Sequence, residues 1–420
     1  MRLPRHLLSA SIAIAGGLIA PVACAQLTGV LHGPPPLPAN LPAMVPQVAV
    51  SGRVDTPRID DLLRGVRAMS RPQQIQALLR DPSQRVALDP SGNPVLRGEF
   101  LATGLTDAEV ATLQGLGFQV ERAPGDQDDL GLHLAIVRDL RRRKEADALR
   151  ALERSAPGAS FTYQHLYLPA GAIGAADDSI APATTDPRAT PAPIEVGLID
   201  GGIASDAPAL AHTRITRFGC TRPDASPHGT AVASLLADGV GDRLYAANLW
   251  CADAVGGATS SLIRALAWMD REHVPVINIS LVGPDNPLLA RAVQAMLARG
   301  HVLVAAVGND GPAAPPLYPA AYLGVIGVSA VDSHDRLLPE SGAGPQVAFC
   351  ALGVVGEGDD AMRGTSFAAP IVARRAAQLL AAPQAGAAAR IEAALARQAQ
   401  DLGAPGRDPR YGFGLLAPEG

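Results

Sequence analysis

Ile194-Glu195-Val196-Gly197-Leu198-Ile199-Asp200-Gly201-Gly202 is an apolar run that ends on a carboxylate, after which two glycines let the chain turn sharply away. Further apolar runs follow at 244–249, 274–279, 302–307 and 323–330. Windows of helical spacing lie among and after them, at 228–237, 260–272, 287–299, 366–381 and 388–398. Strands apolar on both faces and separated by helices predict a parallel sheet flanked by helices, an α/β domain over 194–420.

Sites in such a sheet lie just beyond the carboxyl ends of the strands, and four polar residues fall there. Asp200 closes the first run; alone it reads more readily as an ordinary cap or turn residue. His228, in Ser226-Pro227-His228-Gly229-Thr230-Ala231-Val232-Ala233, stands at the mouth of a helix of small residues. A lone histidine is more often structural than catalytic. Asn309 follows Val302-Leu303-Val304-Ala305-Ala306-Val307-Gly308 and offers a side-chain amide donor. Ser366, in Gly364-Thr365-Ser366-Phe367-Ala368-Ala369-Pro370, opens an apolar helix. A hydroxyl there is commonly an N-cap, but the same helix start presents N–H groups to an oxyanion. Together the four supply an acid to orient an imidazole, a base, a nucleophile and an oxyanion donor.

These segments strongly resemble the signatures of the subtilisin-like serine proteases. The matches are Gly197-Leu198-Ile199-Asp200-Gly201-Gly202, His228-Gly229-Thr230-Ala231-Val232-Ala233 and Gly364-Thr365-Ser366-Phe367-Ala368-Ala369-Pro370, the last highly specific. Val276-Ile277-Asn278-Ile279-Ser280-Leu281, Ala306-Val307-Gly308-Asn309-Asp310-Gly311 and Tyr411-Gly412-Phe413-Gly414-Leu415 match further. The resemblance implies a serine endopeptidase acting on polypeptides, with Asp200, His228 and Ser366 as triad and Asn309 as oxyanion donor. It also implies that Ser280, Leu281 and Gly283 pair with substrate backbone, and that Ala306, Val307 and Gly308 line the pocket for the residue before the cut bond. Activity is then expected to rise as the imidazole loses its proton near neutrality.

The departures from the family pattern carry expectations of their own. Val282 replaces the usual second glycine, which implies a narrower cleft that selects small side chains. Ile371 and Arg374 stand where a histidine and a glycine are usual, and an arginine on a buried helix needs a partner or an exit to solvent. No acidic cluster resembles a complete calcium loop, so no metal ligand and no cofactor is assigned; calcium stays open. The alternative to an active enzyme is a catalytically silent binding protein on the same fold. The G-x-S-x-G elbow of esterases and the H-E-x-x-H of metalloproteases are both missing.

Upstream, residues 95–102 read as strand, the capping box Thr106-Asp107-Ala108-Glu109 opens a helix, and 118–123 reads as strand. A second cycle follows: strand 132–138, helix 145–153, strand 161–168. The order βαββαβ predicts a small α+β ferredoxin-like domain over 94–169. In order and position it also resembles the inhibitory propeptides of the same family; an unrelated accessory domain is the other reading. The low-order stretch 170–193 is expected to be a linker and processing region, which makes the chain's own N-terminal region its intramolecular inhibitor or folding template. Residues 26–93 read as a proline-rich arm, with two short helices in 57–80 around a break at Arg71-Pro72.

At the start, Arg2 and Arg5 precede an apolar run from Leu7 to Ala23 and the triplet Ala23-Cys24-Ala25. This reads as a signal peptide over 1–25, cut after Ala25, rather than a membrane anchor, and predicts a periplasmic or secreted protein. Of the remaining cysteines one pair at most can form; Cys220 with Cys251 is favoured because both fall in loop-like segments, while Cys350 follows apolar Val347-Ala348-Phe349. The 420 residues carry a formal net charge of -5, which gives no general reason to bind nucleic acid or an anionic membrane.

Overall fold

The computed structural model describes residues 70–417 except 82–84, 123–129, 171, 174–191, 205, 221–224, 251–255 and 357–360. The expected signal peptide, the proline-rich arm up to residue 69 and with it the first of the two short helices lie outside the described residues. The second helix is α1 (Arg71–Arg80), and the Arg71-Pro72 break is its first turn, where a missing N–H costs nothing. A short strand that the sequence did not announce, β1 (Val86–Leu88), follows it.

Next come β2 (Pro94–Thr103), α2 (Asp107–Gly115), β3 (Phe118–Arg122), β4 (Ala135–Asp139), α3 (Glu145–Ser155) and β5 (Ser160–His165). The capping box forms as its residues predict: the Glu109 N–H donates to Thr106 Oγ1 at 3.3 Å and Glu109 Oε2 accepts from the Thr106 N–H at 2.9 Å. β2 pairs antiparallel with β1, β4 and β5, and β4 pairs with β3. Phe100, Leu113, Phe118, Val137 and Leu152 fill the space between this sheet and its two helices. The strand expected from residue 132 begins only at Ala135, because His133 has left-handed backbone (φ 49°). Leu132 and Leu134 instead join a core cluster with Leu288 and Leu289.

The strand expected over 161–168 divides. After β5 the chain leaves the antiparallel sheet, and β6 (Leu168–Pro169) and β7 (Ala172–Ile173) pair elsewhere. Residues 170, 172 and 173, expected in the linker, are thus held by neighbouring backbone.

The parallel sheet contains β8 (Glu195–Asp200), β9 (Arg214–Phe218), β10 (Arg243–Asn248), β11 (Val276–Ile279), β13 (Val302–Ala306), β14 (Ile326–Val331) and β15 (Val347–Leu352). Between β11 and β13 lies β12 (Leu281–Val282), and after β15 come β16 (Val354–Val355) and β17 (Met362–Arg363). The seven strands run β15-β14-β13-β11-β8-β10-β9, every adjacent pair parallel. The helices are α4 (Pro227–Leu236), α5 (Thr259–Arg271), α6 (Pro287–Ala298), α7 (Thr365–Gln378) and α8 (Ala387–Ala396). Along β13, Val302, Val304 and Ala306 face the core shared with α4, α7 and α8, while Leu303 and Ala305 face the one shared with α5 and α6. This two-sided burial is why the strands read as largely apolar runs.

Arg374 finds partners inside the fold. Its Nη1 lies 2.9 Å from Asp242 Oδ2 and its Nη2 3.1 Å from Asp238 Oδ1. Asp242 also accepts from the Ile194 and Gly239 N–H groups, so the arginine ties the end of α4 to the entry of β8. Cys350 is a free thiol in β15, pushed up to about 12 chiefly by burial. Cys220 is disulfide-bonded, and its partner lies outside the described residues. Among the described residues, no helix is long and apolar enough to cross a membrane.

Candidate active site

β8 is flanked by β11 and β10, so the carboxylate at its end emerges in the middle of the sheet. The helix that meets it, α4, is capped by Ser226, whose Oγ accepts from the Gly229 N–H at 2.9 Å, with Pro227 preset for the first turn. Gly229 lets that helix dock: a Cβ there would stand 2.6 Å from Gly202 O and 2.8 Å from Gly201 O. The Ser226 N–H donates to Gly202 O at 2.9 Å. The two glycines after Asp200 and the one after His228 therefore bring the acid and the imidazole together.

His228 Nδ1 lies 2.9 Å from Asp200 Oδ1, which also accepts from the Gly201 N–H at 2.5 Å. Both side chains are buried. A carboxylate only accepts, so the hydrogen sits on Nδ1 and Nε2 is left as the basic nitrogen. Nε2 is itself buried and has no hydrogen-bond partner. The His228 ring packs at 5.2 Å, tilted, on that of Phe367, the residue after Ser366.

Ser366 does not cap α7. The cap position is Gly364, and Ser366 lies within the first turn, fully buried. Its Oγ–H donates to Ser280 O at 3.3 Å. Pro370, four residues on, has no N–H for the Ser366 carbonyl, and the Ser280 hydroxyl donates to that carbonyl instead, at 3.1 Å. Asn278 Nδ2 in turn donates to Ser280 Oγ at 2.8 Å. Ser280 thus fixes the start of α7 through both its backbone and its side chain.

Asn309 is oriented by Thr365, a residue to which the sequence reading gave no role. Asn309 Oδ1 accepts from the Thr365 N–H at 3.0 Å and from its hydroxyl at 3.2 Å, which turns Nδ2 toward the cleft. There Nδ2 donates to the carbonyl of Ala170. The next residue, Asp310, lies 3.6 Å from Arg71 Nη1; burial raises its carboxyl, with the arginine opposing.

The expected binding residues divide. β12 pairs antiparallel with β6, setting Leu281 against Pro169 and Val282 against Leu168. The Ala170 N–H donates to Ser280 O at 3.1 Å. Gly283 pairs with Tyr318 through both backbone bonds, at 2.9 and 3.0 Å. Ala306 shares a core cluster with Ala170, Val282 and Leu317, whereas Val307 belongs to the cluster on the other side. The Gly308 N–H donates to Thr365 Oγ1 at 3.1 Å. Among the described residues, no three His, Cys, Asp or Glu side chains are grouped so as to hold a metal ion.

A family model described as Subtilase family matches residues 193–414. Minor extracellular protease Epr of Bacillus subtilis (strain 168) is 30% identical over 53% of this chain, a stretch that spans 37% of that protein's length. Subtilisin of Bacillus pumilus is 33% identical over 56% of this chain and 93% of its own. Fervidolysin from Fervidobacterium pennivorans, described as a keratinolytic enzyme related to subtilisin, shares the fold at a TM-score of 0.63 and 17% identity. That likeness covers 79% of this chain and 61% of fervidolysin.

Proposed function

The chain belongs to the subtilase family, a family of serine endopeptidases, and on that premise we propose that it is itself an exported endopeptidase made as a self-processed zymogen. Ser366 Oγ adds to a peptide carbonyl as its proton passes to His228 Nε2, and Asp200 holds the resulting imidazolium. Asn309 Nδ2 donates to the oxyanion. Collapse expels the amine with the proton from His228, leaving an ester on Ser366. Water then adds through the same base, and the acid leaves. The observation that carries the reading is the Asp200–His228 contact with Nε2 buried and unpartnered beside the nucleophile's helix.

Two contacts support the zymogen part. Residues 168–170 lie in the cleft along Ser280 and β12, which keeps other chains out. In addition, α5 has no side-chain cap from its own residues. Gln164 of β5 supplies one, with Oε1 accepting from the Ser260 N–H at 3.0 Å and Nε2 donating to Ser260 Oγ at 2.8 Å. A domain that completes another's helix start is suited to template its folding. Export rests on the basic and apolar segment before Ala25.

Intact mass of the purified precursor over time, beside Ser366→Ala, tests the reading. Shortening confined to the unmodified chain is expected, with the variant losing about 10⁴-fold or more in rate. If both stay whole and neither cleaves added peptides, the chain is a silent subtilase-fold binding protein instead.

A further inference from the structure

Residues 166–170 cross the cleft as an extended segment bonded along both edges. On one edge β6 pairs with β12 and the Ala170 N–H donates to Ser280 O. On the other, Leu166 bridges Ala258 and the Tyr167 N–H donates to Gly257 O at 2.8 Å. Past the catalytic residues, β7 pairs antiparallel with β17, two residues before the start of α7. The carbonyl between these two held stretches is that of Ala170, and it accepts from Asn309 Nδ2. Ser280 O takes both the Ala170 N–H and the Ser366 hydroxyl, so nucleophile and amide share one acceptor.

Two side chains of the segment are tightly enclosed. Tyr167 is fully buried; a Cβ on Gly283 would stand 2.5 Å from its Cδ1 and 2.7 Å from its Cε1, so the ring packs directly against that glycine. Its hydroxyl donates to the buried carbonyl of Pro284 at 2.9 Å. A phenylalanine would fill the same space but leave that carbonyl without a donor. Ala170 is 2% exposed in the cluster with Val282, Ala306 and Leu317, and a longer side chain there would press on these neighbours.

Resting on the endopeptidase reading above, the geometry points to Ala170–Gly171 as the bond this protein cuts in its own chain, and to a cleft that selects tyrosine at the fourth residue before the cut and alanine at the first. Ser366 Oγ adds to the Ala170 carbonyl carbon, and its proton goes to His228. The C–N bond to Gly171 breaks, and that proton leaves on the Gly171 amine. Water then hydrolyses the Ala170–Ser366 ester, returning the proton to Ser366 and freeing the Ala170 carboxylate. The net change is one water consumed for one acid and one amine.

The test takes the full chain, sequences the termini of its first fragments, and measures cleavage of three peptides. These are Tyr-Leu-Pro-Ala-Gly-Ala, its Phe-Leu-Pro-Ala-Gly-Ala analogue, and Tyr-Leu-Pro-Phe-Gly-Ala. The expected result is a first fragment pair that ends at Ala170 and begins at Gly171. The tyrosine–alanine peptide is expected to be cut about tenfold faster than either analogue, the loss on phenylalanine matching one unpaired carbonyl. Gly283→Ala is expected to abolish the advantage of tyrosine, and Tyr167→Phe in the full chain to slow the first cut without moving it. A Ser366-dependent first cut at any other bond overturns the assignment and leaves the endopeptidase reading standing. So does a chain that stays whole yet cuts the peptides. Equal rates on the three peptides overturn the selectivity. Failure to cut either itself or any peptide overturns the endopeptidase reading, and this inference with it.

Discussion

Apart from its edge strand β9, the parallel sheet is buried on both faces and carries the polar groups of the proposed site at carboxyl ends, Asp200 as the last residue of β8, Ser280 after β11 and Asn309 beyond β13. The antiparallel sheet buries one face under α2 and α3 and turns polar groups of β5 toward the starts of α5 and α6. There Gln164 meets Ser260, the Tyr163 carbonyl accepts from Asn286 Nδ2 at 3.1 Å, and Thr259 Oγ1 donates to His165 O at 3.1 Å. On the proposed function, one sheet aims its polar groups at a reaction, the other at unfinished helix ends. Changes at the first should therefore alter rate with little effect on folding, and changes at the second should do the reverse.

Asn309→Ala is the strongest challenge to that division short of removing the nucleophile. Loss of one oxyanion donor is expected to lower kcat about 10²–10³-fold, with KM and thermal midpoint nearly constant. A fall in midpoint that tracks the fall in rate would mean that Asn309 is chiefly a clasp on Thr365, and the division would fail on the parallel side.

Gln164→Ala probes the other sheet with a smaller effect. Losing the reciprocal pair with Ser260 should destabilise the full chain by about 1 kcal/mol and lower its refolding yield, while the processed enzyme keeps its kcat. Denaturant unfolding of the Ser366→Ala precursor, with and without the second substitution, measures the first quantity cleanly. An unchanged midpoint would remove the template argument.

The same contrast explains what the sequence made legible. β8, β10, β11, β13 and β14 stand out because two-sided burial leaves few polar interruptions, Glu195, Asn278 and Ser329 among them. β9 does not, since Arg214, Thr216 and Arg217 on an edge strand break the run, and β15 shows in the sequence only as the apolar stretch before Cys350. Asp200, His228, Asn309 and Ser366 were legible because each sits in a distinctive local motif. The orienting role of Thr365 was not, because it depends on a side chain 56 residues away. Nor was the passage of residues 167–170 through the cleft: Leu168 continues the apolar pattern of β5, and the turn into a second sheet depends on partners far along the chain.

The smallest expected effect concerns acid. His165 joins the two regions: its Nε2 lies 3.1 Å from Asp89 Oδ2 and its Nδ1 3.0 Å from Asn286 Nδ2. Asn286 Nδ2 donates, so Nδ1 accepts and the ring is neutral, with its hydrogen on Nε2 toward Asp89. Burial lowers the imidazole below its ordinary value, and the nearby carboxylates of Asp89 and Asp285 only partly oppose this. Because the folded value lies below the unfolded one, the contribution to stability is fully present above about pH 6.5 and is lost as pH falls through the folded value. Protonation would put a hydrogen on Nδ1 against the Asn286 amide and strain the seam between the sheets. Unfolding of the Ser366→Ala precursor followed between pH 8 and 5 should therefore show stability declining below neutrality. His165→Gln, which keeps a donor and an acceptor without titrating there, should flatten that decline. A slope unchanged by the substitution would place the acid sensitivity elsewhere and leave the seam held by the helix caps alone.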